Sequence, residues 1–354
     1  MQRRPPIVVA SSRARRRLVS GVKALAIANL AGLLATAATF HWIGERWWVT
    51  AIGLYLPRAI FAAPLPFVLG GLAWLRERRW LWAQALAVFL LIFPILGLVL
   101  PWPRFAGGAP VIRVLSYNVD SAQGGADRIV AEVDRFSPDV VMMQEIAQAT
   151  ALEPLLRARY ATVVLQDQFI LATRYPLSAL TSPQGVAFEG RQHSPRFLRY
   201  VLDTPLGPVV FYNVHPVSPR PGLDALRGHG FRHELLSGRF FHGAAGPVIE
   251  SNAGLRAAQV ATFSVAAAHE VGPVVIAGDT NLPGLDPALG SLAPFTDGFA
   301  QAGWGLGYTY PNDRRPWMRI DRIMVGGGLR FVGFQVGDSS ASDHRCVVGA
   351  IASP

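Results

Sequence analysis

The sequence predicts an α/β domain of about 245 residues, 109–354, behind a helical third embedded in a membrane. Three observations predict it. Long charge-free apolar runs are confined to residues 21–103. From residue 111 onward, short apolar runs bounded by turn residues alternate with stretches of helical spacing, the pattern of strands mixed with helices. Charge is also split along the chain: residues 1–108 hold 13 Arg and Lys against 2 Asp and Glu, net +11, whereas 109–354 hold 20 against 21, net −1.

This split limits the function classes. The net charge of +10 belongs wholly to the N-terminal third, so it is no nucleic-acid footprint on the remainder. The chain is 51% hydrophobic and 16% charged. A soluble domain carries about 25% charged residues. Disorder, a coiled coil and a purely cytosolic globule are thereby excluded. The single cysteine, Cys346, excludes an intrachain disulfide and a cysteine-based zinc cluster.

Residues 1–20 form a basic segment and 21–103 a membrane region with spans expected near 24–44, 59–75 and 80–100. Ala24–Gly44 is free of charge over 21 residues and Trp80–Pro103 over 24. Either suffices for a hydrocarbon core of about 30 Å. The middle run, Ala59–Leu75, has 17 such residues and contains Pro64 and Pro66, which can kink it. Trp42, Trp47, Trp48, Trp74, Trp80, Trp82 and Trp102 edge these runs, as interfacial tryptophans do. Arg13, Arg15, Arg16, Arg17 and Lys23 precede the first span, and Arg76, Arg78 and Arg79 lie between the second and third. The positive-inside rule puts the N-terminus and the Arg76–Arg79 turn in the cytoplasm and, after three crossings, residues 104–354 outside it. The expectation is a multi-pass cell-membrane protein whose partner is the bilayer.

Pro101, Pro103, Gly107, Gly108 and Pro110 mark a linker. Val111–Tyr117 reads as a strand, Asp127–Phe136 as a helix and Asp139–Gln144 as a buried strand. Val209–Val214 reads as a strand, Leu255–His269 as a helix and Val274–Ala277 as a strand. Arg319–Val325 and Cys346–Ile351 are late strands. No glycine-rich phosphate loop follows the first strand, so a Rossmann reading has no support.

Polar residues fall at the ends of these apolar strands: Asn118, Gln144-Glu145, Asn213 and His215, Asp279 and Asn281, Asp321, and Ser342-Asp343-His344. Any one of them could be a turn or helix cap. Six such positions in one order point to one crevice at the strand ends. The segments LSYNVD (115–120), MMQEI (142–146), FYNVHPV (211–217), IAGDTNLP (276–283), RIDRIMV (319–325) and SDHRCVV (342–348) together resemble the endonuclease/exonuclease/phosphatase superfamily over nearly all of 111–351.

The resemblance implies a four-layered α/β sandwich, two packed mixed sheets flanked by helices. It also implies a metal-dependent hydrolase of phosphate esters using Mg²⁺ or Mn²⁺. Glu145 would be the main metal ligand, supported by Asn118, with Asp120 and Asp343 as further candidates. Asp279 would orient or deprotonate the attacking water and Asn281 would position it. His344, its imidazole held by Asp321, would donate to the phosphate, and His215 would serve as general acid for the leaving oxygen.

Substrate is left open between a phosphodiester and a phosphomonoester, lipid-linked or not. The leading reading is a membrane-tethered phosphoesterase acting outside the cytoplasm. Its alternatives are an extracytoplasmic nuclease on DNA or RNA, and an inactive membrane-anchored binding protein. A domain of net charge −1 is poor at gripping duplex DNA, which favours the first. Residues 191–242, with seven Arg, five His and three acids, could form an anion-binding rim. Oligomeric state has no signature in the sequence.

Overall fold

A computed structural model describes residues 11–100, 110–146, 150–227 and 243–353, together with Leu236 and Gly238. The linker expected at 101–110 and much of the basic part of 191–242, including His229, His233 and His242, lie outside the described residues.

The α/β domain has four layers. One six-stranded sheet contains β1 (Val111–Asn118), β2 (Val140–Gln144), β3 (Thr162–Gln166), β4 (Phe169–Thr173), β13 (Arg330–Val336) and β14 (Val347–Ala352), in the order β13-β14-β1-β2-β4-β3. The other contains β5 (Leu177–Thr181), β8 (Phe197–Thr204), β9 (Gly207–Val214), β10 (Val274–Asp279), β11 (Thr296–Asp297) and β12 (Asp321–Gly326), in the order β11-β12-β10-β9-β8-β5. Between them in the chain, β6 (Val186–Phe188) and β7 (Arg191–His193) form a separate hairpin. Each sheet has one parallel pair, β1 with β2 and β9 with β10, among antiparallel neighbours.

The period of two along a strand sorts the side chains. Ile112, Val114, Val140 and Met142 face the second sheet and pack on Phe211, Val275, Ala277 and Ile323. Leu115, Tyr117, Val141 and Met143 face outward under the helices Ala126–Phe136 and Leu152–Arg157. Tyr212, Val214 and Ile276 pack beneath the long helix Ala245–Ala268 on Val260 and Phe263. Central strands buried on both faces explain the unbroken apolar run of Val140–Met143.

The N-terminal third is a helical bundle: α1 (Ser11–Trp42), α2 (Trp48–Tyr55), α3 (Pro64–Trp74) and α4 (Arg78–Leu90), the last continued by a π-helical turn to Ile95. Two helices, Arg13–Trp42 and Arg78–Ile95, are long and apolar enough to cross a membrane. The run expected over 59–75 corresponds to the second member of the middle stretch, and an earlier helix precedes it. The two, Trp48–Tyr55 and Arg58–Trp74, are bent by 93° at their junction. Pro57 accounts for the break, since proline excludes the helical conformation from the residue before it and lacks the N–H a helix needs.

Leu33, Leu65, Ala87 and Leu91 close the bundle's core, while Leu25, Ile27, Phe67, Trp82 and Phe89 stay exposed on its outside. Asn29 and Gln84 pair across α1 and α4 inside it (3.2 Å). Lys23 of α1 meets Glu77 at 2.9 Å, so the start of α1 and the basic turn Arg76–Arg79 lie at one end. The α/β domain packs against the other end. There Arg256 of the long helix, 1% exposed, pairs with Glu45 (2.6 Å), and Trp48 lies against Ile249. Tyr308 donates its hydroxyl to Leu96 O (2.7 Å), and Trp317 donates Nε1–H to Tyr55 O (3.1 Å).

Candidate active site

The site lies where the apolar ladder between the two sheets ends. Asn118, Asp279 and Asp321 continue the faces of Val114, Ala277 and Ile323, so the strand period itself aims them into the gap between the sheets. Register then brings them together. Asn118 lies beside Gln144 in the parallel pair, and Asp279 lies opposite Asp321 in the antiparallel one. Gly278 permits this: a Cβ there would sit 1.9 Å from Val214 O on the neighbouring strand.

Asp279 is 1% exposed. Its Oδ1 accepts the N–H of Asn281 (2.8 Å) and its Oδ2 accepts from Asn118 Nδ2 (3.2 Å). The same amide donates to Glu145 Oε1 (3.0 Å). Asn118 thus braces two carboxylates as a donor, while its own oxygen accepts from Asp120 N (3.1 Å). His215 Nε2 stands 3.2 Å from Glu145 Oε1 and 3.7 Å from Asp279 Oδ2. Its Nδ1 meets Gln168 Oε1 at 2.7 Å. Because that oxygen also accepts from Arg196 (3.1 Å), the Nδ1 carries the proton and Nε2 is the nitrogen turned to the site.

His344 makes the other half. Its Nδ1 is 2.9 Å from Asp321 Oδ2, and its Nε2 is 3.7 Å from Asp279 Oδ2. Burial alone would lower its pKa, but Asp321 and Asp279 outweigh burial and raise it to about 10, so the ring is an imidazolium. Burial would raise Glu145, yet His215 and Asn118 hold its carboxyl down at about 2. Burial raises Asp279, with the imidazoles of His344 and His215 opposing it. The Tyr310 ring covers His344, centroids 4.7 Å apart.

Two clusters have ligand atoms within 4.8 Å of one another: Glu145, His215 and Asp279, and Asp279, Asp321 and His344. The first fits a divalent cation. It presents carboxylate oxygens, and among the described residues the buried His215 Nε2 finds no aligned hydrogen-bond partner. Asp343 and Asp120 join neither cluster. Asp343 is engaged by Arg220 at 2.7 Å, and Asp120 stands at the half-buried rim in a left-handed turn, bonded to Gln123 (2.9 Å).

Two polar strand-end residues serve the scaffold instead. Gln144 donates to Asn213 Oδ1 (2.7 Å), and Asn213 donates to the carbonyls of Met143 and Ile170 (3.2 Å each), tying the two sheets together. Sequence reasoning missed Gln168, Tyr310 and Arg220, and named Ser342 without giving it a role. Ser342 donates to Asn118 O (2.8 Å) and accepts His344 N–H (3.1 Å). Its place inside the SDH motif was a usable signal; the others carry none.

The family model for endonucleases, exonucleases and phosphatases matches residues 115–344, the stretch that holds every cluster residue. The chain belongs to this family. Its members are divalent-metal-dependent hydrolases of phosphate esters, and the chain is an enzyme of that class. Among solved structures, SmcL is similar in fold, with TM-score 0.50 and 14% identity over 70% of this chain and 99% of that one. A family protein from Beutenbergia cavernae is 19% identical, with TM-score 0.48, over 69% of this chain and 72% of that one. A 3'-5' exonuclease from Neisseria meningitidis is 16% identical, with TM-score 0.48, over 69% of this chain and all of that one. A comparison with curated proteins finds no match.

Proposed function

We propose that the protein is a membrane-tethered, Mg²⁺-dependent phosphoesterase whose α/β domain works outside the cytoplasm on a lipid or lipid-linked phosphate ester. The observation that carries the chemistry is the convergence of Glu145, Asp279 and His344 on one cleft of about 470 Å³, with buried His215 against Glu145 and Asp279. The tether rests on the bundle. Its apolar outer face, with the basic turn and the α/β domain at opposite ends, suits a protein that passes its chain through a bilayer.

Glu145, with Asp279 across from it, would hold the cation, and Asn118 keeps both carboxylates in place. A bound divalent ion neutralises charge on phosphoryl oxygens. Asp279 has one oxygen fixed by Asn281 N–H and the other turned to the cleft, where it takes a proton from the attacking water. Asn281 holds the turn that aims it. His344 donates Nε2–H to a phosphoryl oxygen while Asp321 anchors its other nitrogen. His215, oriented through Gln168, faces the leaving oxygen and, when protonated on Nε2 as well as Nδ1, gives it the proton with which it departs. Asp120 and Asp343 form an acidic rim, with Asp343 Oδ1 4.0 Å from His344 Nε2.

The test is the full-length enzyme in phospholipid vesicles, offered its lipids, a chromogenic phosphodiester and plasmid DNA, each with Mg²⁺ and with EDTA. Magnesium-dependent release of phosphate ester from lipid is expected. Efficient cutting of DNA with every phospholipid ignored would replace this reading with a nuclease.

A further inference from the structure

The cleft is not built by the family domain alone. Tyr55, the last residue of α2, lines it together with Trp317, opposite Glu145 and His344. Its one hydroxyl hydrogen is shared between Glu45 and the carbonyl oxygen of Asn281 (3.2 Å), both of which accept it. Asn281 has φ 52°, a left-handed conformation that asparagine tolerates better than other non-glycine residues and that the contacts around it hold in place. Three of the restraints come from the family segment: Asn281 N to Asp279 Oδ1 (2.8 Å), Asn281 Nδ2 to Pro216 O (3.0 Å) and Thr280 N to Ile320 O (2.9 Å). The fourth is Tyr55, some 60 residues before the matched stretch begins.

Tyr55 is itself held. Glu45 accepts its hydroxyl, and buried Arg256 grips Glu45 through both oxygens (2.6 and 3.2 Å). Trp317 bonds its backbone carbonyl (3.1 Å). A chain of contacts therefore runs from the long helix through Arg256, Glu45 and Tyr55 to the turn that aims Asp279.

We propose that Tyr55 is a positioning residue of the active site, supplied by the N-terminal helical unit: its hydroxyl fixes the Asp279–Asn281 turn and its ring walls the substrate cleft. The kinetic part rests on the phosphoesterase reading; the structural part does not. The N-terminal unit then completes the enzyme as well as anchoring it.

Tyr55→Phe isolates the hydroxyl, because it keeps the ring and leaves the Arg256–Glu45 pair intact. Full-length enzyme in vesicles with Mg²⁺ and a soluble chromogenic phosphodiester should lose about tenfold in kcat with KM held within about twofold. Tyr55→Ala should in addition raise KM, since the wall is gone. Hydrogen exchange should quicken in the peptide spanning 279–286 of Tyr55→Phe and stay unchanged in the helices of the bundle. A normal kcat in Tyr55→Phe, or unchanged exchange at 279–286, overturns the proposal. If the unmodified enzyme hydrolyses no phosphodiester, the phosphoesterase reading fails, and the exchange measurement still decides the role of Tyr55.

Discussion

Replacing Asp279 by Asn or His344 by Ala removes one polar group from the cleft and leaves the strands beneath it unaltered. Turnover should fall by at least ~10²-fold in each, the low end for groups that move protons or stabilise charge. Circular dichroism should match that of the native enzyme. Near-normal rates in either variant would sink the assigned roles. Glu145→Gln should raise the Mg²⁺ concentration needed for half-maximal rate, and full activity in EDTA would dismiss the cation altogether. The placement of Asp279, Asn281, Asp321 and His344 in one site was legible because each sits within three residues of a strand end, where local pattern and position coincide. Gln168, Tyr310 and Tyr55 were not. Gln168 acts on His215, 47 residues away in the chain, and Tyr55 on Asn281, 226 away. No local window contains such a relation.

Elements were legible in proportion to their burial on both faces. β2 and β10 open on continuous apolar runs, β1 is broken by Arg113 and Ser116, and all three stand where expected. The strands between 162 and 204 were missed: β3 and β5 are sheet edges, and β3 and β4 are five-residue runs separated only by Asp167-Gln168. The helix expected at 255–269 begins ten residues earlier, at Ala245. Its first turns lie against Trp48, which a Cβ at Gly246 would meet at 2.8 Å, so their support comes from another part of the chain.

Asp297 offers a test at this scale. It caps the short helix Gly298–Ala302, takes Arg319 through two bonds (2.7 and 3.0 Å) and faces buried Arg322 at 3.7 Å. Burial would raise its pKa, but the two arginines hold it below the ordinary carboxylate range. The folded state therefore binds this proton less readily than the unfolded chain, whose carboxyl titrates near ~3.9. The stability that Asp297 contributes is present above about pH 4 and is lost as pH falls through the lower folded value. Asp297→Asn should cost about 3 kcal/mol near neutral pH, because buried Arg322 loses the carboxylate it pairs with at 3.7 Å. It should also flatten the acid limb of a denaturation curve. An acid limb as steep as that of the native protein would refute the ion-pair account.

At the scale of the whole molecule, the fold of 111–352 and the helical nature of the N-terminal third were both legible, since charge and apolar runs are long-range averages. Their junction was not. The sequence reads as an anchor joined to an enzyme by a linker, and that reading expects the isolated domain 109–354 to match the full chain on a soluble phosphodiester. The docked interface expects the isolated domain to be slower, since it lacks Tyr55 and exposes Arg256. A side-by-side rate comparison decides between them. For topology, an alkaline phosphatase fused at the C-terminus should be active and a green fluorescent protein fusion dark. The reverse would mean that the bent pair 48–74 turns back without crossing.

The Arg256–Glu45 pair carries a biological corollary. Many surface enzymes are freed by a cut in their stalk and go on working at a distance. Here a cut between the bundle and residue 110 would strand a buried guanidinium at a raw apolar face and remove one side of the cleft. On the proposed membrane-tethered reading, losing the bundle would extinguish this enzyme, and its reach would be set by where the cell places the bilayer.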